Sequence, residues 1–328
     1  MHSYPLLFYP IFKERIWGGN QLKHVLGKEI SSDLIGESWE ISGVSGDVST
    51  VVNGPYQGAL LTDLIVQFDR EFLGDSVVES FGTAFPILIK FLDARLDLSI
   101  QVHPSDELAK KRHQSFGKNE MWYILEADQE AQLIIGFKKD IDQKTYIDYL
   151  AQNRLTDLLA YHPVKKGDAF LIETGTIHAI GAGVVLAEIQ QTSDITYRVY
   201  DFDRKDTNGN YRELHTQLAL EALNYQSNAS FRLGKQPLQD RPVDSFCLAR
   251  TPYFKTNEIA LLTNNTFDLG HLDSFVIYIV VEGSAIFSDT KSPGHKVHAS
   301  KGTTVLLPAC CKKITIETFS CRLLEVFV

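Results

Sequence analysis

Short β-type runs, each closed off by Gly, Pro, Asn or Asp, recur along most of this chain and constrain its fold more than any other feature. Runs at 87–92, 98–103, 121–125, 132–137, 169–173, 184–190, 196–200, 275–281 and 303–308 are rich in aliphatic and aromatic residues. Many short strands with turns between them predict a mainly β protein, built as a sandwich, jelly roll or barrel. Helical spacing is confined to a few places. Ser105 is placed to cap a helix that opens with Asp106 and Glu107 and closes with Lys110, Lys111 and Arg112, as the helix dipole favours. Tyr146, Leu150, Leu155 and Leu158 predict a second helix over 142–159, and a third covers about 215–223. These helices decorate a β protein rather than alternate with its strands.

A chain of 328 residues corresponds to about two domains at roughly 150 residues each. It buries enough surface to fold without a metal or disulfide, so a metal site in it reads as functional. The polar stretch GKQPLQDRP at 234–242 is the expected linker, dividing a catalytic part, 1–236, from a C-terminal part, 237–328. The two parts echo each other: KGDAFLI (166–172) resembles KGTTVLL (301–307), and WYILEA (122–127) parallels YIVVEG (278–283). On this register His178 falls opposite Lys313 and Glu120 opposite Val276. The second copy is therefore expected to have lost its polar residues, and the chemistry is placed in the first.

The formal net charge of −9 argues against a nucleic-acid or anionic-membrane partner, since both demand a basic face. The apolar run 275–281 is too short to span a bilayer, and the N-terminal stretch lacks a basic leader pattern. Cys247, Cys310, Cys311 and Cys321 form no CxxC pair and are expected to be reduced thiols. A soluble, unsecreted, cytoplasmic protein is the expectation.

Chemistry concentrates around residues 99–198. In Ser99-Ile100-Gln101-Val102-His103 the polar residues share one strand face and the apolar ones the other. Glu120 opens the next strand, and His178 follows a glycine-containing turn. Two imidazoles, a carboxylate and an amide oxygen make a set suited to a divalent ion, zinc first. Glu188 interrupts the apolar run VVLAEIQ and Arg198 interrupts TYRVY, so either they pair with each other or they face a polar cavity. Lys118 stands next to any metal that Glu120 binds. No Walker loop, HExxH or GxSxG is present, and Gly181-Ala182-Gly183 lacks the third glycine of a dinucleotide fingerprint.

The pieces ERIWGG (14–19), GESWEIS (36–42), FLDARLDLSIQVHP (91–104), GKNEMWY (117–123), GTIHAIG (175–181) and EIQQTSDITYRVYDFDR (188–204) stand in one order across the first two hundred residues. With them the chain resembles the zinc-dependent type I mannose-6-phosphate isomerases of the cupin superfamily, in their short bacterial form without the helical insert of longer members. The resemblance implies cupin jelly-roll barrels, with Gln101, His103, Glu120 and His178 holding one zinc ion per chain. It implies that Arg198 is the catalytic arginine, that Lys118 and Glu188 line the same cavity, and that the C-terminal barrel is metal-free. The reaction implied interconverts mannose 6-phosphate and fructose 6-phosphate through an enediol. Within it Glu188 is expected to shuttle the proton with a raised pKa, Ser99 to donate to substrate and Trp17 to wall the sugar. The partner is then a small sugar phosphate, and the chain a monomer or weak homodimer. Rival readings are an isomerase of a related aldose phosphate, an iron-dependent cupin oxygenase, and a non-catalytic sugar-phosphate binder.

Overall fold

A computed structural model describes every residue except 207, 208, 229, 240 and 242. The N-terminal part contains β1 (Ile11–Gly19), β2 (Ile35–Ile41), β3 (Ile87–Ala94), β4 (Ile100–Val102), β5 (Glu120–Ala127), β6 (Gln132–Phe137), β7 (Leu159–Pro163), β8 (Ala169–Ile172), β9 (His178–Ile180), β10 (Val184–Gln191) and β11 (Tyr197–Tyr200). They form two antiparallel sheets, ordered β1-β2-β3-β10-β5-β8 and β11-β4-β9-β6-β7. The sheets face each other across a core that joins Trp122, Ile124 and Leu186 of the first to Leu133, Ile135 and Ile180 of the second.

The C-terminal part follows with β12 (Gln236–Pro237), β13 (Asp244–Arg250), β14 (Lys255–Leu261), β15 (Asn265–Asp268), β16 (Val276–Asp289), β17 (Val297–Ser300), β18 (Thr304–Leu307), β19 (Lys313–Glu317) and β20 (Cys321–Phe327). The long β16 pairs with β17, β18, β19 and β20 and so bends this sheet into a second barrel. Both parts carry the cupin-like jelly-roll architecture. Residues 240 and 242 of the expected linker lie outside the described residues, while Gln236 and Pro237 pair with Cys247 and Phe246 as an edge strand.

The unbroken apolar character of β10 follows from its burial on both faces. Val184 and Leu186 point into the N-terminal barrel, whereas Val185, Ala187 and Ile189 point outward into a second core. That outer core also takes Ile277, Ile279, Leu324 and Val326 from the C-terminal barrel, so the two barrels share one apolar interface. Chain segments cross it: Leu6 forms a bridge with Leu306, and the Phe275 amide donates to the Leu73 carbonyl.

The internal echo is visible as strand register. Glu120 faces Ile172 and Trp122 faces Phe170, just as Val276 faces Leu307 and Tyr278 faces Val305. The two Lys-Gly turns close identically, with Gly167 N donating to Ile124 O and Gly302 N to Val280 O. One expectation fails here. The second copy has not lost all its polar residues, because Glu325 faces Tyr278 as Glu188 faces Trp122 and is fully buried.

The Ser105-capped helix forms over Asp106–His113, and the third expected helix over Thr216–Ala222. The second stops at Ala151, because Asn153 takes a left-handed conformation (φ 55°) that Asn tolerates and a helix does not. Leu155–Leu158 is a short 3-10 turn, and Leu159 begins β7. Helices at Leu61–Phe68, Arg70–Leu73 and Asp75–Phe81 were not anticipated. Leu61, Leu64 and Ile65 hold helical spacing and bury in the inter-barrel core, so the signal was present. Among the described residues no helix is long and apolar enough to cross a membrane, and all four cysteines are free thiols.

Candidate active site

Sheet register assembles the site from both walls of the N-terminal barrel. Gln101 on β4 lies between its partners His178 on β9 and Arg198 on β11, giving one polar row. On the facing sheet a second row runs Trp39, Lys90, Glu188, Trp122 and Phe170 across β2, β3, β10, β5 and β8. Gly117 and Asn119 deliver Lys118 between the walls. The Gly117 amide is held by the Asp106 carboxylate at 2.7 Å and the Asn119 amide by Gln191 Oε1 at 2.9 Å.

His103, Glu120 and His178 are buried and their potential ligand atoms all lie within 4.8 Å of one another. His103 Nδ1 sits 2.9 Å from the Ile195 carbonyl and His178 Nδ1 2.8 Å from the Thr176 carbonyl. Each ring must donate there, which leaves both Nε2 lone pairs turned toward the centre. Nε2 of His103 is 3.6 Å from one Glu120 oxygen, and Nε2 of His178 is 3.4 Å from the other. Gln101 reaches the same point, its amide 3.3 Å from His178 Nε2. Burial, with Lys118 adding to it, pushes His103 well below the ordinary imidazole range, and burial takes His178 down to about 4. Both rings are thus neutral donors at neutral pH.

Glu120 Oε1 is buried without a hydrogen-bond partner. Burial drives this carboxyl upward against the pull of Lys118, and Glu188 adds to the rise. Lys118 Nζ is bonded to the other Glu120 oxygen and lies 3.1 Å from His103 Nε2, so the cluster offers two imidazole nitrogens and one unsatisfied carboxylate oxygen, the kind of donor set a divalent cation completes. The donor set of Gln101, His103, Glu120 and His178 therefore fits a metal ion.

Above the cluster opens a cavity of about 520 Å³, whose walls include Trp17, Ser99, Gln101, Lys118, Glu188 and Arg198. Every residue singled out from the sequence thus lies at the cluster or on this cavity. Of the two alternatives for Glu188 and Arg198 the cavity holds and the ion pair does not, and one expectation fails. Arg198 does not pair with Glu188: its Nη1 donates to the Glu213 carbonyl at 2.9 Å, and its backbone N–H to His215 Nδ1 at 3.1 Å. Nor is the Glu188 pKa raised. Burial pushes it up, but Lys118 and Lys90, with ammonium groups 3.7 and 3.3 Å from Glu188 Oε1, outweigh burial and hold it below the usual range.

Sequence reasoning passed over Lys90 and Glu37, which also line the cavity. Lys90 interrupts the apolar strand ILIKFLDA as Glu188 interrupts its own, so the same signal marked it. Glu37 accepts from Arg15 Nε at 2.7 Å and Trp39 Nε1 at 2.6 Å, and stands 4.0 Å from Lys90.

A pair of jelly-roll barrels, one of them with a His–Glu–His cluster able to hold a metal beside a cavity lined by both cations and carboxylates, defines a two-barrel cupin. Residues 6–137 match the model of the phosphomannose isomerase type I catalytic domain. The chain is 38% identical over 250 residues to the mannose-6-phosphate isomerase of Streptococcus mutans, covering 76% of this chain and 77% of that one. It is 40% identical over 228 residues to a mannose-6-phosphate isomerase of Bacillus subtilis, 69% and 70% of the respective chains. The crystal structure of a Bacillus subtilis mannose 6-phosphate isomerase overlays with a TM-score of 0.89 at 32% identity, over 99% of both chains. The chain belongs to the type I mannose-6-phosphate isomerase family.

Proposed function

We propose that this protein interconverts mannose 6-phosphate and fructose 6-phosphate, and that Gln101, His103, Glu120 and His178 hold one zinc ion for the purpose. The observation that carries the reading is the convergence of both Nε2 atoms and the orphaned Glu120 oxygen beneath a cavity walled by Lys90, Lys118 and Arg198. A mixed nitrogen and oxygen donor set suits zinc. Zinc bound there would supply Lewis-acid polarisation of a substrate oxygen.

Isomerisation takes a proton from one carbon and returns one to its neighbour, and negative charge grows on oxygen between the two steps. Arg198 brings a guanidinium that stays charged when partly buried; its Nη1 is held by the Glu213 carbonyl and its backbone by His215, which leaves the rest of the fork for charge that develops on substrate. Lys118, bonded to Glu120, places a second cation on the same side. Glu188 is the proton carrier in this reading. Held ionised by Lys90 and Lys118, it accepts a proton without first losing one. Ser99 and Trp17 line the mouth and orient the sugar. Catalysis belongs to residues 1–236, with 237–328 as an accessory barrel, in a cytoplasmic monomer or weak homodimer acting on a small sugar phosphate.

The test is a coupled assay of mannose 6-phosphate turnover on the full chain, run beside other aldose phosphates. Turnover of mannose 6-phosphate above the others supports the reading. Turnover of a different aldose phosphate alone would reassign the substrate, and binding without any turnover would make the chain a sugar-phosphate sensor.

A further inference from the structure

A second cavity, of about 1030 Å³, opens in the C-terminal barrel. Strand register places it where the first barrel has its active site. The row Lys90, Glu188, Trp122, Phe170 is matched by Asn257, Glu325, Tyr278, Val305. Likewise Gln101 pairs with His178 as Asp268 pairs with Lys313, so the positions of Gln101 and His103 fall to Asp268 and Gly270, both on the cavity wall. With Asp268, Gly270, Val276 and Lys313 at the corresponding places, these positions offer no ligand set for a metal, and no other cluster of ligand residues stands in the second barrel among the described residues.

The carboxylate that survived does not face a ligand. Glu325 accepts from both terminal nitrogens of Arg241 at 2.8 and 2.6 Å, from Asn257 at 2.8 Å and from Tyr278 at 2.9 Å. This floor is satisfied and neutral. The rim is not. Arg250 and Lys255 are direct cross-strand partners on β13 and β14, where like charges repel. Among the described residues neither has an acidic partner: Arg250 Nε donates to Cys247 Sγ at 3.4 Å, and the Lys255 ammonium lies 5.6 Å from the centre of the Phe327 ring. The acidic wall residue, Asp268, is already engaged by the Gly270 amide at 2.7 Å. Two adjacent cations with no acidic partner among the described residues, at the rim of a half-open cavity in a chain of net charge −9, form a local anion-attracting patch.

We propose that the C-terminal barrel carries a second, metal-free binding site for a small phosphorylated organic molecule, with the phosphate held between Arg250 and Lys255. Phe267 and Phe327 supply apolar wall for the organic body. Occupancy stabilises the folded chain by mass action and leaves the chemistry of the first barrel untouched.

The probe is glycerol 3-phosphate, with glycerol as the uncharged control, titrated into the metal-loaded full chain by calorimetry. Hydrogen exchange with bound probe locates the site. The wild type is expected to bind glycerol 3-phosphate but not glycerol, with protection over β14 and residues 269–272. The double variant R250Q/K255Q is expected to lose that protection, bind there at least about tenfold more weakly, and keep wild-type turnover and melting temperature without probe. Three results overturn the proposal: protection confined to the first barrel, unchanged binding in R250Q/K255Q, or no binding in the millimolar range.

Discussion

Glu120 and Glu188 are two fully buried carboxylates of one cavity, and their neighbours give them opposite properties. Each keeps one oxygen without a hydrogen-bond partner, but Glu120 sits beside two imidazoles with Lys118 alone bonded to it, whereas Glu188 has the ammonium groups of Lys90 and Lys118 at 3.3 and 3.7 Å and accepts from Trp122 Nε1 at 3.1 Å. If Glu188 carries the proton, Glu188→Gln lowers kcat by roughly 10²–10⁴-fold while the chain still binds one metal ion. Steady-state kinetics with metal analysis checks this, and a variant with full metal and near-wild-type kcat removes the role. The shared placement of Gln101 and His103, two of the proposed ligands, was legible in the sequence because strand alternation alone puts Ser99, Gln101 and His103 on one face. The partners of Glu188 were not. Which of two facing sheets supplies the compensating cation depends on strand order, and β3 lies beside β10 only in the folded sheet.

At the scale of elements, Glu37 on β2 is held between two cations from its neighbours, Arg15 on β1 and Lys90 on β3. Burial raises the Glu37 pKa, but Lys90 and Arg15 outweigh it and hold the group at about 2, against an ordinary 4.5. A carboxyl depressed in the folded state stabilises fully above its ordinary value and loses that contribution as pH falls toward the depressed one. The effect is on the order of 3 kcal/mol. Wild type should therefore exceed Glu37→Gln in urea stability at pH 7, and the gap should shrink as pH falls from about 4.5 toward 2. A gap independent of pH would contradict the assignment. Strand positions were the most readable elements, since 132–137 and 184–190 carry their apolar pattern openly. The helices of residues 61–81 were missed because their apolar residues serve an interface between barrels, which a chain scanned for strands does not reveal.

The whole molecule is two barrels related by an internal repeat and fused through one shared core. Tyr123 donates to buried Glu258 at 2.8 Å across the junction, and Lys235 and Arg322 complete its charge. Removing 237–328 would expose the outer face of β10 and the helices packed beside it. A fragment of residues 1–236 should accordingly be insoluble or bind hydrophobic dyes, and cooperative unfolding of a soluble fragment would show the interface to be dispensable. The repeat was readable from KGDAFLI and KGTTVLL, while the survival of Glu325 needed the register of β16 against β20. The measurement that bears most directly on the central claim is mannose 6-phosphate turnover by chelator-stripped protein titrated with zinc, with bound metal counted at each point. Activity should be lost on stripping and return in proportion to zinc, reaching its plateau at one ion per chain; full turnover by metal-free protein would contradict the account.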